Sequence, residues 1–363
     1  METLFWISVG LIVYVYAGYP LMLAGCSRLT RRRPRGPSID EIPSWPPISI
    51  VMAARNEAVR LPGRLRNLLE IAYPGRREII VVSDGSTDGT PEVVREFGGS
   101  VRLIEVPAGG KPLALNAGVA DARGEILVFA DARQRFSEHA LMELVANFSN
   151  PEVGGVTGEL VIDSERESTC STVGDGVGLY WMYEKWLRRH ESCVWSTLGA
   201  TGAIYALRRD LWQPLPAETL LDDVLAPMRA VLAGWRIVFD ERAKAFDYAA
   251  IDAAAEARRK IRTLAGNYQI LMQEPRLLVP FVNPVWFHYM SHKVGRLIVP
   301  WALAAVLVSS AALALESWVF TFALVAQAGF YGLALLGAWL EREVGPTAGS
   351  VDIATARGQG AVR

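Results

Sequence analysis

The sequence predicts an α/β domain, a parallel sheet flanked by helices, joined to transmembrane helices. Three observations carry this. From residue 48 to about residue 148, buried-type strand patterns alternate with helical spacings, an order that argues a parallel sheet with helices on both faces. Three long apolar stretches flank that region. Mean hydropathy is +0.20 although 21% of the residues are charged, which fits a polar domain attached to membrane segments.

Taken in order, residues 3–25 carry no charge and are long enough to cross a hydrocarbon core of about 30 Å. A cleaved signal peptide would want a basic start and a small-residue cleavage site. Here the chain starts "MET" and the basic cluster follows the apolar run, so an uncleaved anchor is expected over 1–26. A basic, Pro-rich linker follows over 27–47. "ISIVMAA" then reads as a buried strand, "RLPGRLRNLLEI" as a helix and "REIIVVSD" as a strand. "TPEVVREF" opens a helix with Thr90 as N-cap and Pro91 at the first helical position. "VRLIEVP" is a strand, "KPLALNAGVADA" a helix, "EILVFAD" a strand and "SEHALMELVANF" a helix. In such sheets ligands bind beyond the carboxyl ends of the strands, which puts "ARNEA", "SDGSTDG" and "ADARQ" on one rim.

The second half is mixed. "VGGVTGELVI", "GAIYALRR" and "WRIVFDERAKAF" look like strands, and "GLYWMYEKWLRRH" and "DDVLAPMRAVLAGW" look helical, with Pro227 allowed only in the first turn of the latter. "AAAEARRKIRTLAGNYQILMQ" is a long basic helix that closes a domain spanning 48–272. Residues 273–296 mix aromatics, prolines and bases and suit an interfacial segment, with Trp286 and Tyr289 at headgroup depth and His288 and His292 beside them. Two further spans fall within 297–340, with only Glu316 and Ser317 between them, as a tight hairpin. The tail, 341–363, is small and polar and is expected to be disordered. No internal repeat is visible.

Orientation follows from the bases. Arg28, Arg31, Arg32, Arg33 and Arg35 follow the first span, "HKVGR" precedes the second and Arg342 follows the third. This places the central domain on the cytoplasmic side of a multi-pass protein of the cell membrane. Cys26, Cys170 and Cys193 have no metal spacing and imply no disulfide frame. Lys and Arg number 37 against 38 Asp and Glu, so bulk charge gives a nucleic-acid partner no support.

"ISIVMAARNEA", "IIVVSDGSTDGT", "GGKPLALNAG", "EILVFADA", "GAIYALRR", "LDDV…AGWR" and "RKIRT" occur in this order from about residue 48 to 269. Together they resemble the membrane-bound family 2 glycosyltransferases, the inverting group that includes cellulose, hyaluronan and chitin-oligosaccharide synthases. The resemblance implies a GT-A fold, with a Rossmann-like mixed sheet, and a nucleotide-diphosphate sugar as donor. It assigns Ala54, Arg55, Asn56 and Glu57 to the loop lining the nucleotide, and Asp84 to the base, where a fixed carboxylate suits the imide N–H of uracil. Lys111 and Asn116 match a pair below the donor. An ordinary polar turn and a solvated lysine are the plain alternatives for these positions.

On the same resemblance Asp222 takes the Glu position of the acidic motif and Asp223 the catalytic Asp. Inversion needs one base to deprotonate the acceptor hydroxyl as it attacks the anomeric carbon. An Asp pair opening a helix also serves as a cap, and both roles can coexist. Gly202 and Ala203 fall on the acceptor side. "RKIRT" departs from the family's Gln-x-x-Arg-Trp: Arg259 stands at Gln, Arg262 at Arg and Thr263 at Trp. Arg262 would bind the donor pyrophosphate, and loss of the Trp puts processive chain growth in doubt. A basic helix face against anionic lipid is the alternative for both arginines.

Asp131 aligns with the first Asp of the family's Asp-x-Asp, and Arg133 replaces the second. Three arrangements are open. Asp131, the pyrophosphate and water could hold Mg²⁺ or Mn²⁺; Arg133 could itself supply positive charge to the diphosphate; or Arg133 could turn to a local acid. The expected partners are a nucleotide-sugar donor, with a UDP-sugar the expected form, a glycan or lipid-linked acceptor, membrane lipid and other polysaccharide-assembly proteins. The expected activity is sugar transfer to a hydroxyl in cell-surface or exopolysaccharide synthesis. The alternatives are a polyprenyl-phosphate sugar synthase and a degenerate transferase acting as a nucleotide-sugar-binding scaffold.

Overall fold

The computed structural model describes residues 1–30, 36–163, 172–248 and 253–344. Part of the basic linker, Cys170 and most of the polar tail lie outside the described residues. The chain divides into two compact units, one formed by Tyr14–Leu297, the other by Met1–Val13 and the chain from Ile298 onward.

The helices are α1 (Glu2–Val13), α2 (Tyr19–Leu29), α3 (Leu61–Glu70), α4 (Thr90–Glu96), α5 (Lys111–Asp121), α6 (Ala140–Ala146), α7 (Thr172–Val194), α8 (Asp222–Leu232), α9 (Ala253–Gln273), α10 (Trp286–His288), α11 (Gly295–Leu313) and α12 (Trp318–Val344). The strands are β1 (Ile48–Ala54), β2 (Arg77–Asp84), β3 (Arg102–Val106), β4 (Ile126–Ala130), β5 (Arg135–Phe136), β6 (Val153–Asp163), β7 (Ile204–Arg208) and β8 (Arg236–Tyr248).

The eight strands among the described residues form one sheet in the order β3-β2-β1-β4-β7-β6-β8-β5. The alternation of β1 and β2 explains its two covered faces. Ile48, Ile50 and Met52, with Ile79 and Val81, pack in one layer with Leu61, Leu65 and Leu68 of α3. Val51, Ile80 and Val82 point the other way and pack with Ala114, Leu115 and Val119 of α5. A period of two on the strand and of 3.6 on the helix is what two-sided burial requires.

The sheet is mixed. β3, β2, β1 and β4 run parallel, but β7 is antiparallel to both β4 and β6. Alternation along a strand fixes which side chains face the core but carries no sign of chain direction, so the motif-based expectation of a mixed sheet holds and the purely parallel one does not. β1, β2, β3 and β4 all end at one rim, which collects the loops after Ala54, Asp84, Val106 and Ala130.

Two local expectations are corrected. α4 is capped by Gly89 in a left-handed conformation (φ 80°), and Thr90 is its first residue; Asp88 Oδ1 accepts from the Thr90 amide at 3.1 Å. Pro227 lies inside α8, in its second turn.

Among the described residues, three helical segments are long and apolar enough to cross a membrane: Glu2–Leu29, Trp286–Leu313 and Trp318–Gly337. The second starts about three turns before the point expected at Leu297, so the supposed interfacial stretch is partly helix. Tyr289 and His292 are 2% and 4% exposed, packed inside the protein. His292 Nδ1 lies 2.6 Å from Glu191 Oε1, which also accepts from the Tyr19 hydroxyl at 3.0 Å. A buried carboxylate needs such partners, and this one ties α2, α7 and the stretch before α11 together. In the other unit Phe5 packs edge-on against Phe320 with ring centroids 5.0 Å apart.

Candidate active site

The rim is built from loops that hold one another. After Ala54, Asn56 adopts a left-handed conformation (φ 57°), which Asn tolerates. Its amide donates to Ser86 Oγ at 3.2 Å, and the Thr87 amide donates to Asn56 Oδ1 at 2.9 Å. The Glu57 amide donates to Thr90 Oγ1 at 2.9 Å and the Ala58 amide to Asp88 Oδ2 at 3.0 Å. The Thr90 hydroxyl bond holds the Asp88 carboxyl below its ordinary range. "ARNEA" and "SDGSTDGT" are therefore one laced structure. Ala54 is buried, Glu57 pairs with Arg60 at 3.0 Å, and Arg55, at 57% exposure, reaches Asp84 Oδ2 at 3.9 Å.

Asp84 ends β2 and is 3% exposed. Its carboxylate accepts from the Gly109 amide at 2.6 Å and the Gly110 amide at 3.0 and 3.1 Å. Much of the acceptor capacity expected to meet a nucleobase is thus committed to the loop that leads into α5. That loop delivers Lys111, the first residue of α5. Lys111 Nζ lies 3.0 Å from Asp131 Oδ1 and 3.2 Å from Asp222 Oδ2. Burial works against the ammonium, but Asp222, Asp131 and Asp223 outweigh it and raise its pKa.

Asp131 follows β4. Its carbonyl accepts from Arg64 Nε at 3.1 Å. Arg64, on α3, is 4% exposed, bonds Asn67 Oδ1 at 2.9 Å and lies over the Phe136 ring at 4.0 Å. Burial pushes its pKa down to about 9, which leaves it charged at neutral pH. Nothing in the sequence pattern singled out Arg64, because a base in "RLPGRLRN" reads as a solvated helix position. Arg133 turns to Asp247 on β8, whose Oδ2 also accepts from Gln134 Nε2 at 3.0 Å. Of the three arrangements open for Arg133, the pairing with a local acid is the one present.

Asp222 and Asp223 open α8. Pro227 has no N–H, which frees the carbonyl four residues back, that of Asp223. The Ala200 amide takes it at 2.7 Å. The Gly202 amide donates to Asp223 Oδ2 at 2.9 Å, and a Cβ at Gly202 would meet that same oxygen at 2.9 Å. Asp223 is thus gripped twice by the segment before β7. Burial, and then the Asp222 charge, raise its pKa from 3.8 to about 6. Ala203, expected beside the acceptor, is 5% exposed and belongs to the core. Asn116 also departs from expectation: its amide donates to the Leu215 carbonyl at 2.8 Å and accepts from the Leu215 amide at 2.9 Å. It braces the approach to α8.

Tyr205 was not anticipated either. It stacks on Phe129 with centroids 4.5 Å apart and is 1% exposed. Its hydroxyl has no hydrogen-bond partner, and burial, Asp222, Asp223 and Asp131 raise its pKa.

α9 is fixed to the segment leading into α8. Gly266 lies so close to Leu221 that a Cβ would meet it at 2.5 Å, and Gln269 accepts from the Leu220 amide at 2.9 Å while donating to the Glu218 carbonyl at 2.8 Å. Arg259 and Arg262 stand seven and four residues before Gly266, on the same helical face, and both are exposed.

Residues 49–213 match the family described as Glycosyl transferase family 2. Those residues carry that family's domain, and the likeness supports a glycosyltransferase. It is 26% identical over 294 residues to "Probable glycosyltransferase YdaM" of Bacillus subtilis, covering 75% of this chain and 68% of that protein. It is 23% identical over 236 residues to "Poly-beta-1,6-N-acetyl-D-glucosamine synthase" of Staphylococcus epidermidis, covering 62% of this chain and 56% of that protein. Among solved structures it resembles a mannosyltransferase, PcManGT, from Pyrobaculum calidifontis in complex with GDP-Man and Mn²⁺, with a TM-score of 0.69, 24% identity, and 91% and 92% of the two chains covered. The likeness establishes the GT-A fold.

A resident Mg²⁺ or Mn²⁺ takes oxygen ligands at about 2.1 Å in octahedral array. Here the Asp131 and Asp222 carboxylates converge on an ammonium, and position 133 supplies no oxygen. Among the described residues no group of three or more His, Cys, Asp or Glu side chains is arranged to hold a metal ion. These side chains by themselves make no metal cage.

Proposed function

We propose that this protein is an integral-membrane, inverting glycosyltransferase that moves a sugar from a nucleotide-diphosphate donor to a hydroxyl of a glycan or lipid-linked acceptor. The observation that carries the reading is Asp223: one half-buried carboxylate, aligned by the Gly202 amide, with its pKa brought up to about 6. A base of that strength is mostly ionised at neutral pH yet still takes a proton readily. Asp223 accepts the hydroxyl proton while the acceptor oxygen bonds to the anomeric carbon. The bond to the β-phosphate breaks on the opposite side, and its electron pair leaves with the diphosphate. Arg262 and Arg259, on the α9 face that carries Gly266, are suited to receive that charge.

A hydroxyl acceptor is favoured over a polyprenyl phosphate, because a phosphate needs no base. The three apolar helices and the arginines after the first of them support a multi-pass protein with its catalytic rim in the cytoplasm. On α9, Ile261, Leu264, Tyr268 and Met272 are exposed on the side opposite Gly266, which suits contact with lipid or a lipid-linked acceptor. Release of nucleoside diphosphate by membranes containing the protein tests the reading, with UDP-, GDP- and dTDP-sugars supplied beside a lipid and glycan extract. Turnover of one donor, lost in Asp223→Asn and reduced about tenfold or more in Arg262→Ala, is the expected result. Donor binding with no Asp223-dependent turnover would leave a scaffold in place of an enzyme.

A further inference from the structure

We infer that Lys111 stands where a divalent cation would otherwise lie, so that its ammonium carries the positive charge between the strand-end carboxylate and the donor diphosphate. This rests on the glycosyltransferase reading and goes beyond it.

Three features of the site converge on Lys111. The second carboxylate of the strand-end pair is absent: Arg133 replaces it and is committed to Asp247, which Gln134 also holds. The two carboxylates that do converge, Asp131 and Asp222, come from β4 and α8 and meet at Lys111 Nζ, at 3.0 and 3.2 Å. Those are ammonium–carboxylate distances; a Mg²⁺ or Mn²⁺ ion would draw the oxygens to about 2.1 Å. Lys111 is also held in place. Asp84 binds both amides just before it, Gly110 has φ 90°, and Pro112 follows. Only the side chain can swing, and any ion entering between the carboxylates would lie against a second cation.

The step balances without a metal. When the donor diphosphate arrives, one Lys111 N–H passes from a carboxylate to a β-phosphate oxygen. The anomeric C–O bond then breaks towards that phosphate, the acceptor oxygen bonds to carbon, and its proton goes to Asp223. Lys111 remains protonated throughout.

The test measures UDP and GDP binding by calorimetry on the purified full chain, in EDTA and in Mn²⁺, with donor turnover measured in parallel. Wild type should bind one nucleoside diphosphate with Kd values in the two conditions within about twofold, since its own cation meets the diphosphate. Lys111→Met should lose about tenfold or more in EDTA and regain part of it in Mn²⁺, while Lys111→Arg, which keeps a cation, should bind in EDTA. Mn²⁺ electron paramagnetic resonance supplies a readout apart from activity: the free-ion signal should stay unchanged with wild type and fall with Lys111→Met plus nucleotide. Thermal unfolding of both variants reports whether they fold. Should Mn²⁺ tighten wild-type binding about tenfold or more, or Lys111→Met bind in EDTA as wild type does, the inference is overturned. Asp223-dependent turnover that vanishes in EDTA would also overturn it while leaving the glycosyltransferase reading intact. Failure of both nucleotides to bind under any condition would remove the inference together with the proposed donor.

Discussion

Replacing Asp222 by Asn should move the acid limb of the pH–rate profile to lower pH. Asp223 needs to be ionised to accept the acceptor's proton, so kcat/KM should fall as pH drops through its pKa. In the native site that pKa is raised from 3.8 to about 6, first by burial and second by the neighbouring Asp222 charge. The rise of about 2 units corresponds to about 3 kcal/mol of differential interaction between the two protonation states. Asp222→Asn removes the second cause and leaves burial. It also frees Lys111, 3.2 Å from Asp222 Oδ2, to act more strongly on the remaining acids. Both changes favour the ionised form, and a drop of about 1 pH unit in the limb is expected. The assay is kcat/KM from nucleoside diphosphate release between about pH 4.5 and 8, a range that brackets the shifted limb, with Asp223→Asn as the reference that loses about 10²–10⁴-fold. A limb that stays in place, or moves to higher pH, refutes the assignment of Asp223 as the base coupled to Asp222.

Three further outcomes follow from the geometry. Gly202→Ala places a Cβ 2.9 Å from Asp223 Oδ2 and should lower kcat about tenfold or more through a misplaced base, with far-UV circular dichroism unchanged. Asn116→Ala removes both bonds to the Leu215 backbone and should cost about 1–3 kcal/mol in chemical denaturation, with the loss greater than for Asn116→Asp, which keeps the acceptor. Tyr205→Phe keeps the stack on Phe129 and deletes a buried hydroxyl that has no partner; stability should stay level or rise by up to about 1 kcal/mol, and a clear fall in the unfolding midpoint would mean that the hydroxyl bonds a water there.

Much of this protein is legible in its sequence alone. Strand and helix periods mark β1 through β4 with α3, α4 and α5 between them, and the rule that ligands gather at strand ends places the rim. The apolar runs mark three membrane-length helices because hydrocarbon thickness is a length, and length is written directly in the chain. The motifs in order point to the family, the GT-A fold and Asp223 as the residue to examine. Each of these depends on neighbours within a few residues.

What the tertiary structure decided lies across long sequence separations. Arg133 and Asp247 are 114 residues apart, Asn116 and Leu215 are 99 apart, and His292 and Glu191 are 101 apart. In each pair a side chain that reads as solvent-facing or ligand-facing finds a fixed partner, because a charge or amide that is partly buried is costly without one. The reversal of β7, the Ala200 amide on the carbonyl freed by Pro227, and the meeting of Asp131 and Asp222 at Lys111 are of the same kind. Local pattern sets which residues form a strand or a helix and which face is apolar. Which cation reaches which carboxylate is set by how those elements pack: here Arg133 reaches Asp247, and Lys111 reaches Asp131 and Asp222.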